Sequence, residues 1–119
     1  MKKLFAFILL ACFACGKPLP ELENIDMASW RKDKNGCLGD RARMIAPLTE
    51  QKNKLKGLSE DGILKLLGKP DQNELYKRNQ KFFYYFVEPS VKCDSTKTAA
   101  RKLSIRFNAM EMAREVVIE

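Results

Sequence analysis

The residues of this 119-residue chain best suited to chemistry are its four cysteines, Cys12, Cys15, Cys37 and Cys93. A thiol can be acylated, joined to a second thiol or used to hold a metal, and its surroundings decide which. Cys12-Phe13-Ala14-Cys15 has the form Cys-x-x-Cys. A redox or metal role for that motif needs an adjacent βαβ pattern or a second ligand pair, and the sequence has neither. Histidine is absent, which removes the commonest general base and the commonest metal ligand. No metal site and no cofactor site is expected.

The first fifteen residues give two of these cysteines a different meaning. Lys2 and Lys3, an apolar run from Leu4 to Ala14 and a small residue before Cys15 form a secretion signal that ends at a cysteine, the usual attachment point of a lipoprotein's lipid. The run is shorter than the roughly 20 apolar residues a membrane-spanning helix needs. Leu9-Leu10-Ala11-Cys12 fits the bacterial lipobox better than the residues before Cys15 do. The cysteine count favours Cys15: cleavage there discards Cys12 and leaves Cys37 and Cys93 as an even pair, whereas cleavage before Cys12 leaves an odd thiol in an oxidising compartment. Cys15 is adopted as the lipidated residue, with Cys12 the alternative. Cys37 and Cys93 are then expected to form a disulfide, closing a long loop and stabilising the fold by roughly 2–4 kcal/mol.

Two further patterns resemble catalytic ones. Ser29-Trp30-Arg31-Lys32 is formally Ser-x-x-Lys, and Lys97-Thr98-Ala99 is close to Lys-Thr-Gly, but the Ser-Asp-Asn element and the much larger fold of penicillin-recognising enzymes are missing. Without histidine no Ser-His-Asp triad can be assembled, the carboxylates form no defensible acid–base pair, and no glycine-rich phosphate loop is present. No catalytic residue is assigned, and a non-enzymatic protein is expected. The chain carries 22 basic and 15 acidic residues. Lys2 and Lys3 leave with the signal, so the mature charge is near +5. Export argues against nucleic acid as partner, the lysines are scattered, and no small-molecule substrate is evident.

About 105 residues follow the signal, enough for one small domain. The boundaries read as a signal peptide over 1–14, a lipidated tether over 15–25, extended and holding Pro18 and Pro20, and a domain over 26–119. Asp26 caps a short helix through Trp30, and Asp33-Lys34-Asn35-Gly36 signals a turn. Met44, Ile45, Leu48 and Leu55 share one side of a helix over 40–56 that Pro47 must bend or start. Ser59-Glu60-Asp61 opens a second long helix with Ile63, Leu66 and Leu67 inward, closed by a left-handed Gly68 and by Pro70. Residues 72–76 and 80–87 read as a hairpin about a Lys77-Arg78-Asn79 turn, Leu103, Ile105 and Phe107 as the inward side of a strand, and 112–118 as a last strand with Val116 and Ile118 inward. The expected fold is therefore α+β: two N-terminal helices on one face of a three- to four-stranded antiparallel sheet, a two-layer sandwich.

The second half resembles a known family. Gly57-Leu58-Ser59, Ile63, Leu66-Leu67-Gly68-Lys69-Pro70-Asp71, an aromatic strand ending Tyr84-Tyr85-Phe86, and Leu103-x-Ile105-x-Phe107 are similar to the SmpA/OmlA (BamE-like) lipoprotein domain family. The resemblance covers roughly 55–118. Residues 30–47 have no counterpart in the family pattern, and the turn Asn108-Ala109-Met110-Glu111 lacks the glycine usual there. The resemblance implies a binding domain that assists outer-membrane protein assembly. Gly16, rather than aspartate, after Cys15 favours sorting to the outer membrane, with the domain facing the periplasm.

The expected protein is thus a lipid-anchored accessory or scaffolding module for cell-envelope assembly, bound to the membrane through its anchor and to an envelope protein partner. The alternative is an inhibitor-like domain acting on an envelope enzyme. Both faces of the strand at 80–87 are aromatic; if Phe83 and Tyr85 face away from the helices, they form the partner-binding patch.

Overall fold

The computed structural model describes residues 18–76, 80–94, 96 and 99–119. Cys12, Cys15, the turn at 77–79 and Lys97-Thr98 lie outside those residues.

Helix α1 (Met27–Lys32) starts where the Asp26 carboxylate accepts the N–H groups of Ala28 and Ser29 at 3.1 and 3.3 Å and the Ser29 hydroxyl at 2.9 Å. The hydroxyl first, then the backbone donors, hold the Asp26 carboxyl below the usual aspartate range. Ser29 therefore serves a helix cap. After the turn at Lys34–Gly36, a short α2 (Asp40–Arg43) leads into α3 (Ile45–Gln51). Of the two expectations for 40–56, a helix bent by Pro47 or one started by it, the structure has the second: the break falls at Met44 (φ −101°, ψ 5°), α3 starts at Ile45, and a 3₁₀ turn takes over at Lys52–Leu55. The break leaves Pro47 as the third residue of α3, where its missing N–H breaks no bond of that helix.

Helix α4 (Glu60–Leu67) begins as expected, Ser59 Oγ accepting the Gly62 N–H at 3.1 Å, with Ile63, Leu66 and Leu67 buried. Its end differs. Gly68 has φ 84° but ψ −172°, an extended turn in place of the left-handed helical cap. The chain then enters β1 (Gln72–Tyr76), β2 (Gln80–Phe86), β3 (Lys102–Phe107) and β4 (Ala113–Ile118), an antiparallel meander in the order β1-β2-β3-β4. The fold is α+β, with the helices mostly before the strands. Leu103, Ile105 and Phe107 of β3 and Val116 of β4 are buried in one core with Leu48, Leu55, Ile63 and Leu67 from the helical layer. Ile118 packs at its margin.

The segment expected as a tether is docked well before residue 26. Leu22 and Ile25 belong to the core, and Leu19 lies against the first turn of α4, 3.5 Å from where a side chain at Gly62 would begin. Glu23 and Gln51 exchange bonds: the Glu23 N–H donates to Gln51 Oε1 at 2.6 Å, and Gln51 Nε2 donates to the Glu23 carbonyl at 2.7 Å. Lys54 Nζ donates to the Glu21 carbonyl at 3.3 Å. Apolar residues at 19, 22 and 25 have the spacing to line one side of a strap, which the flanking prolines and acids obscured in the sequence.

The β3–β4 turn is held by Asn108 Oδ1, which accepts the N–H groups of Met110 and Met112 at 2.9 and 3.1 Å. Glu111 adopts φ 64° there, a left-handed conformation that costs an L-residue about 1–2 kcal/mol. Replacing Glu111 by glycine is expected to stabilise the domain by about 0.5–1 kcal/mol after glycine's own chain-entropy cost. A rise in the urea midpoint at unchanged slope is the signature, and a fall would contradict the strain argument.

Candidate functional site

The strongest concentration of polar interactions lies where the helical layer meets the ends of β1 and β2, and it is built around Arg41. The Asp33 carboxylate, fully buried at the end of α1, accepts the Leu38 N–H at 2.6 Å and the Arg41 N–H at 2.9 Å, which folds the chain back and sends Arg41 inward. Arg41 Nε donates to the Trp30 carbonyl at 2.9 Å, and its Nη1 donates to Asp71 Oδ2 at 2.7 Å and to the Phe86 carbonyl at 3.1 Å. The guanidinium carbon sits 4.7 Å from the Trp30 ring centre and 5.8 Å from that of Tyr85. A weakly hydrated, planar cation suits such a place, because it can stack on rings and donate in its own plane at once.

Asp71 is the matching acceptor. Its Oδ2 also takes the Phe86 N–H at 2.8 Å, and its Oδ1 takes the Asn35 N–H at 3.0 Å. Asn35 passes the connection on: its carbonyl accepts the Ser90 N–H at 3.1 Å. Gly36, at φ 69°, has no space for a side chain, since a Cβ would stand 2.5 Å from the Glu88 carbonyl oxygen. One residue further, Cys37 is bonded to Cys93 across 56 residues, with the Cα atoms 5.4 Å apart. The expected bridge is present, and it fastens the turn after α1 to the loop between β2 and β3.

Chemically this region is a knot rather than a reaction centre. The named atoms of Asp33, Asp71 and Arg41 are each spent on backbone or on one another. Among the described residues no group of three or more Cys, Asp or Glu is arranged to hold a metal, and no helix is long and apolar enough to cross a membrane. Ser29 is engaged by Asp26, and the segment that carries Lys97-Thr98 is outside the described residues.

Phe83 and Tyr85 do not form a surface patch. Both face the helices, 5% and 0% exposed. Phe83 meets Phe107 edge to face at 4.7 Å, and Tyr85 lies 6.1 Å from Trp30 with its hydroxyl donating to the Gly68 carbonyl at 2.7 Å. Burial, outweighing the nearby Arg41 cation, pushes the Tyr85 hydroxyl well above the usual tyrosine range. The reason is register: Tyr85 pairs with Leu103 and Phe83 with Ile105, and directly opposed residues share a face.

Strand alternation turns Phe82, Tyr84 and Phe86 the other way. There Phe82 stacks on Tyr84 at 6.0 Å, Lys102 Nζ lies 4.3 Å from the Tyr84 ring centre, and the Tyr84 hydroxyl donates to Glu74 at 2.6 Å. Arg106 pairs with Glu115 beside them at 3.3 Å. The face away from the helices is therefore an aromatic row dressed with charged groups. Its row and the Arg41 knot were both missed from sequence. Asp71 had a signal, as the last residue of the Gly68-Lys69-Pro70-Asp71 motif; Arg41 had none, since nothing in its neighbours marks it as buried.

These features define a class: a small α+β two-layer domain, strapped by its N-terminal segment and clasped by one disulfide. In comparisons with known proteins, no family model, no curated protein and no solved structure matches the chain.

Two outcomes follow from the knot. Asp71→Asn, which strips the charge from one partner of a buried pair, is expected to destabilise the domain by about 3–5 kcal/mol, read from urea unfolding. Paired Cys37→Ser and Cys93→Ser changes are expected to cost about 2–4 kcal/mol while the far-UV spectrum keeps its native shape, because the hydrogen bonds of Asn35 still join the same segments. Loss below about 1 kcal/mol in the first case would show that the knot relaxes around a neutral partner.

Proposed function

We propose that this chain is an outer-membrane lipoprotein, acylated on Cys15 and facing the periplasm, whose domain acts by binding as an accessory or scaffolding module of envelope assembly. The domain is of the SmpA/OmlA type in this reading. One observation carries it: the segments that resemble that family are joined into a single unit. The Ala113 N–H donates to the Leu58 carbonyl and the Gly57 N–H donates to the Ala113 carbonyl, each at 2.8 Å. Gly68 accepts the Tyr85 hydroxyl, and Asp71 takes the Phe86 N–H. Helix signature, aromatic strand and the Leu103, Ile105, Phe107 strand thus share one core.

The disulfide supports export, since such a bridge persists in an oxidising compartment. The surface available for a partner in this reading is the face away from the helices, where half-buried Phe82 and Phe86 flank a Tyr84 ring covered by Lys102 and Glu74, in place of Phe83 and Tyr85. Its mixture of rings and both signs of charge suits a protein partner.

Mild crosslinking and affinity capture of the native lipoprotein test the proposal. Recovery of subunits of the outer-membrane barrel-assembly machine is the expected result, and Phe82→Ala, at a half-buried position of that face, is expected to reduce it. Consistent recovery of an envelope enzyme with inhibited activity would favour the inhibitor reading instead.

A further inference from the structure

We infer that the end of the domain bearing Leu19, Leu75 and Met110 rests on the bilayer that holds the lipid, an inference that depends on the Cys15 anchor proposed above. Three independent observations converge on this end. The first is where the strap meets the fold. Leu19 packs at the first turn of α4, against the position a Gly62 side chain would take. Four residue steps separate it from Cys15, so the acylated residue is at most about 14 Å away.

The second is the direction of the strands. The N-terminal end of α4 lies beside the β3–β4 turn: Glu60 N–H donates to the Glu111 carbonyl at 3.1 Å, and Ser59 bridges Met112. The disulfide and the loop from Glu88 lie past the opposite end of β2, whose seven residues span roughly 20 Å. A leash of about 14 Å brings the first end to the membrane and leaves the disulfide end beyond it.

The third is the surface itself. Leu75 and Met110 are 68% and 80% exposed, and Leu19 is nearly half exposed. Leu75 and Ala109 line one shallow depression with Glu60 and Glu111, so the edge strand and the β3–β4 turn present apolar groups side by side. Charges of both signs accompany them, with Lys81 paired to Glu60 at 3.0 Å. Exposed apolar side chains of this kind settle at the boundary between headgroups and acyl chains. Leu38 and Val91 are also exposed, but they flank the disulfide, at the end the leash holds away.

The test uses the full mature lipoprotein in phosphatidylcholine vesicles with brominated acyl chains. Met110→Trp and Val91→Trp each add one reporter to the buried Trp30. The Met110→Trp reporter is expected to be quenched at least about twofold more than the Val91→Trp reporter, and Leu75→Glu, a change at an exposed site, is expected to remove about half of that quenching. Equal or inverted quenching of the two reporters overturns the orientation, and indifference to Leu75→Glu overturns the apolar contact. Mass analysis of the mature N-terminal peptide comes first: an unmodified Cys15 overturns the anchor itself, separately from any fluorescence result.

Discussion

The ion pair between Arg41 and Asp71 is the constraint on which the arrangement of layers depends. Neither charge has access to water, so each must find its full complement of partners inside the protein. Those partners come from the end of α1, the turn at Lys34–Gly36, the residues before β1 and the end of β2. A sliding apolar interface tolerates several positions of a helix on a sheet; an interface that must also satisfy a guanidinium tolerates one. The pair contributes little net stability by itself, and what it supplies is a fixed register between the helical layer and the strands.

Other features are organised around that register. The Trp30 and Tyr85 rings cover the guanidinium, which places the only tryptophan and the most buried tyrosine on the same charge. Cys37 and Cys93 meet two residues beyond Asn35, whose backbone is already bonded on both sides. The covalent bridge therefore locks a geometry that hydrogen bonds have set, and its main effect falls on the unfolded chain, where it closes a long loop.

Much of the fold was legible in the residues. Ser59 with its acids, Ile63, Leu66 and Leu67 marked α4, and the alternation of Leu103, Ile105 and Phe107 marked β3, because in both the period of the apolar residues is that of the backbone. The disulfide followed from counting. The aromatic strand was legible as a strand but not as to its faces, since rings on both sides erase the alternation that tells inside from outside, and only the pairing with β3 decides. Pro47 signalled that the helix over 40–56 would bend or start there, whereas the burial of Arg41 was beyond reach because its partners Asp71 and Phe86 lie 30 and 45 positions away. Tether and strap also look alike in sequence, and the burial of Leu22 and Ile25 separates them.

That strap has a consequence for what counts as one folding unit. Leu22 and Ile25 fill places in the core, and the Glu23 backbone bonds both groups of the Gln51 amide. A version of the domain begun at Asp26, where regular structure starts, would lose both core residues and leave the Gln51 amide with only the Pro47 carbonyl and Lys54 Nζ as partners. The folding unit therefore includes residues 22–25, ahead of its first helix.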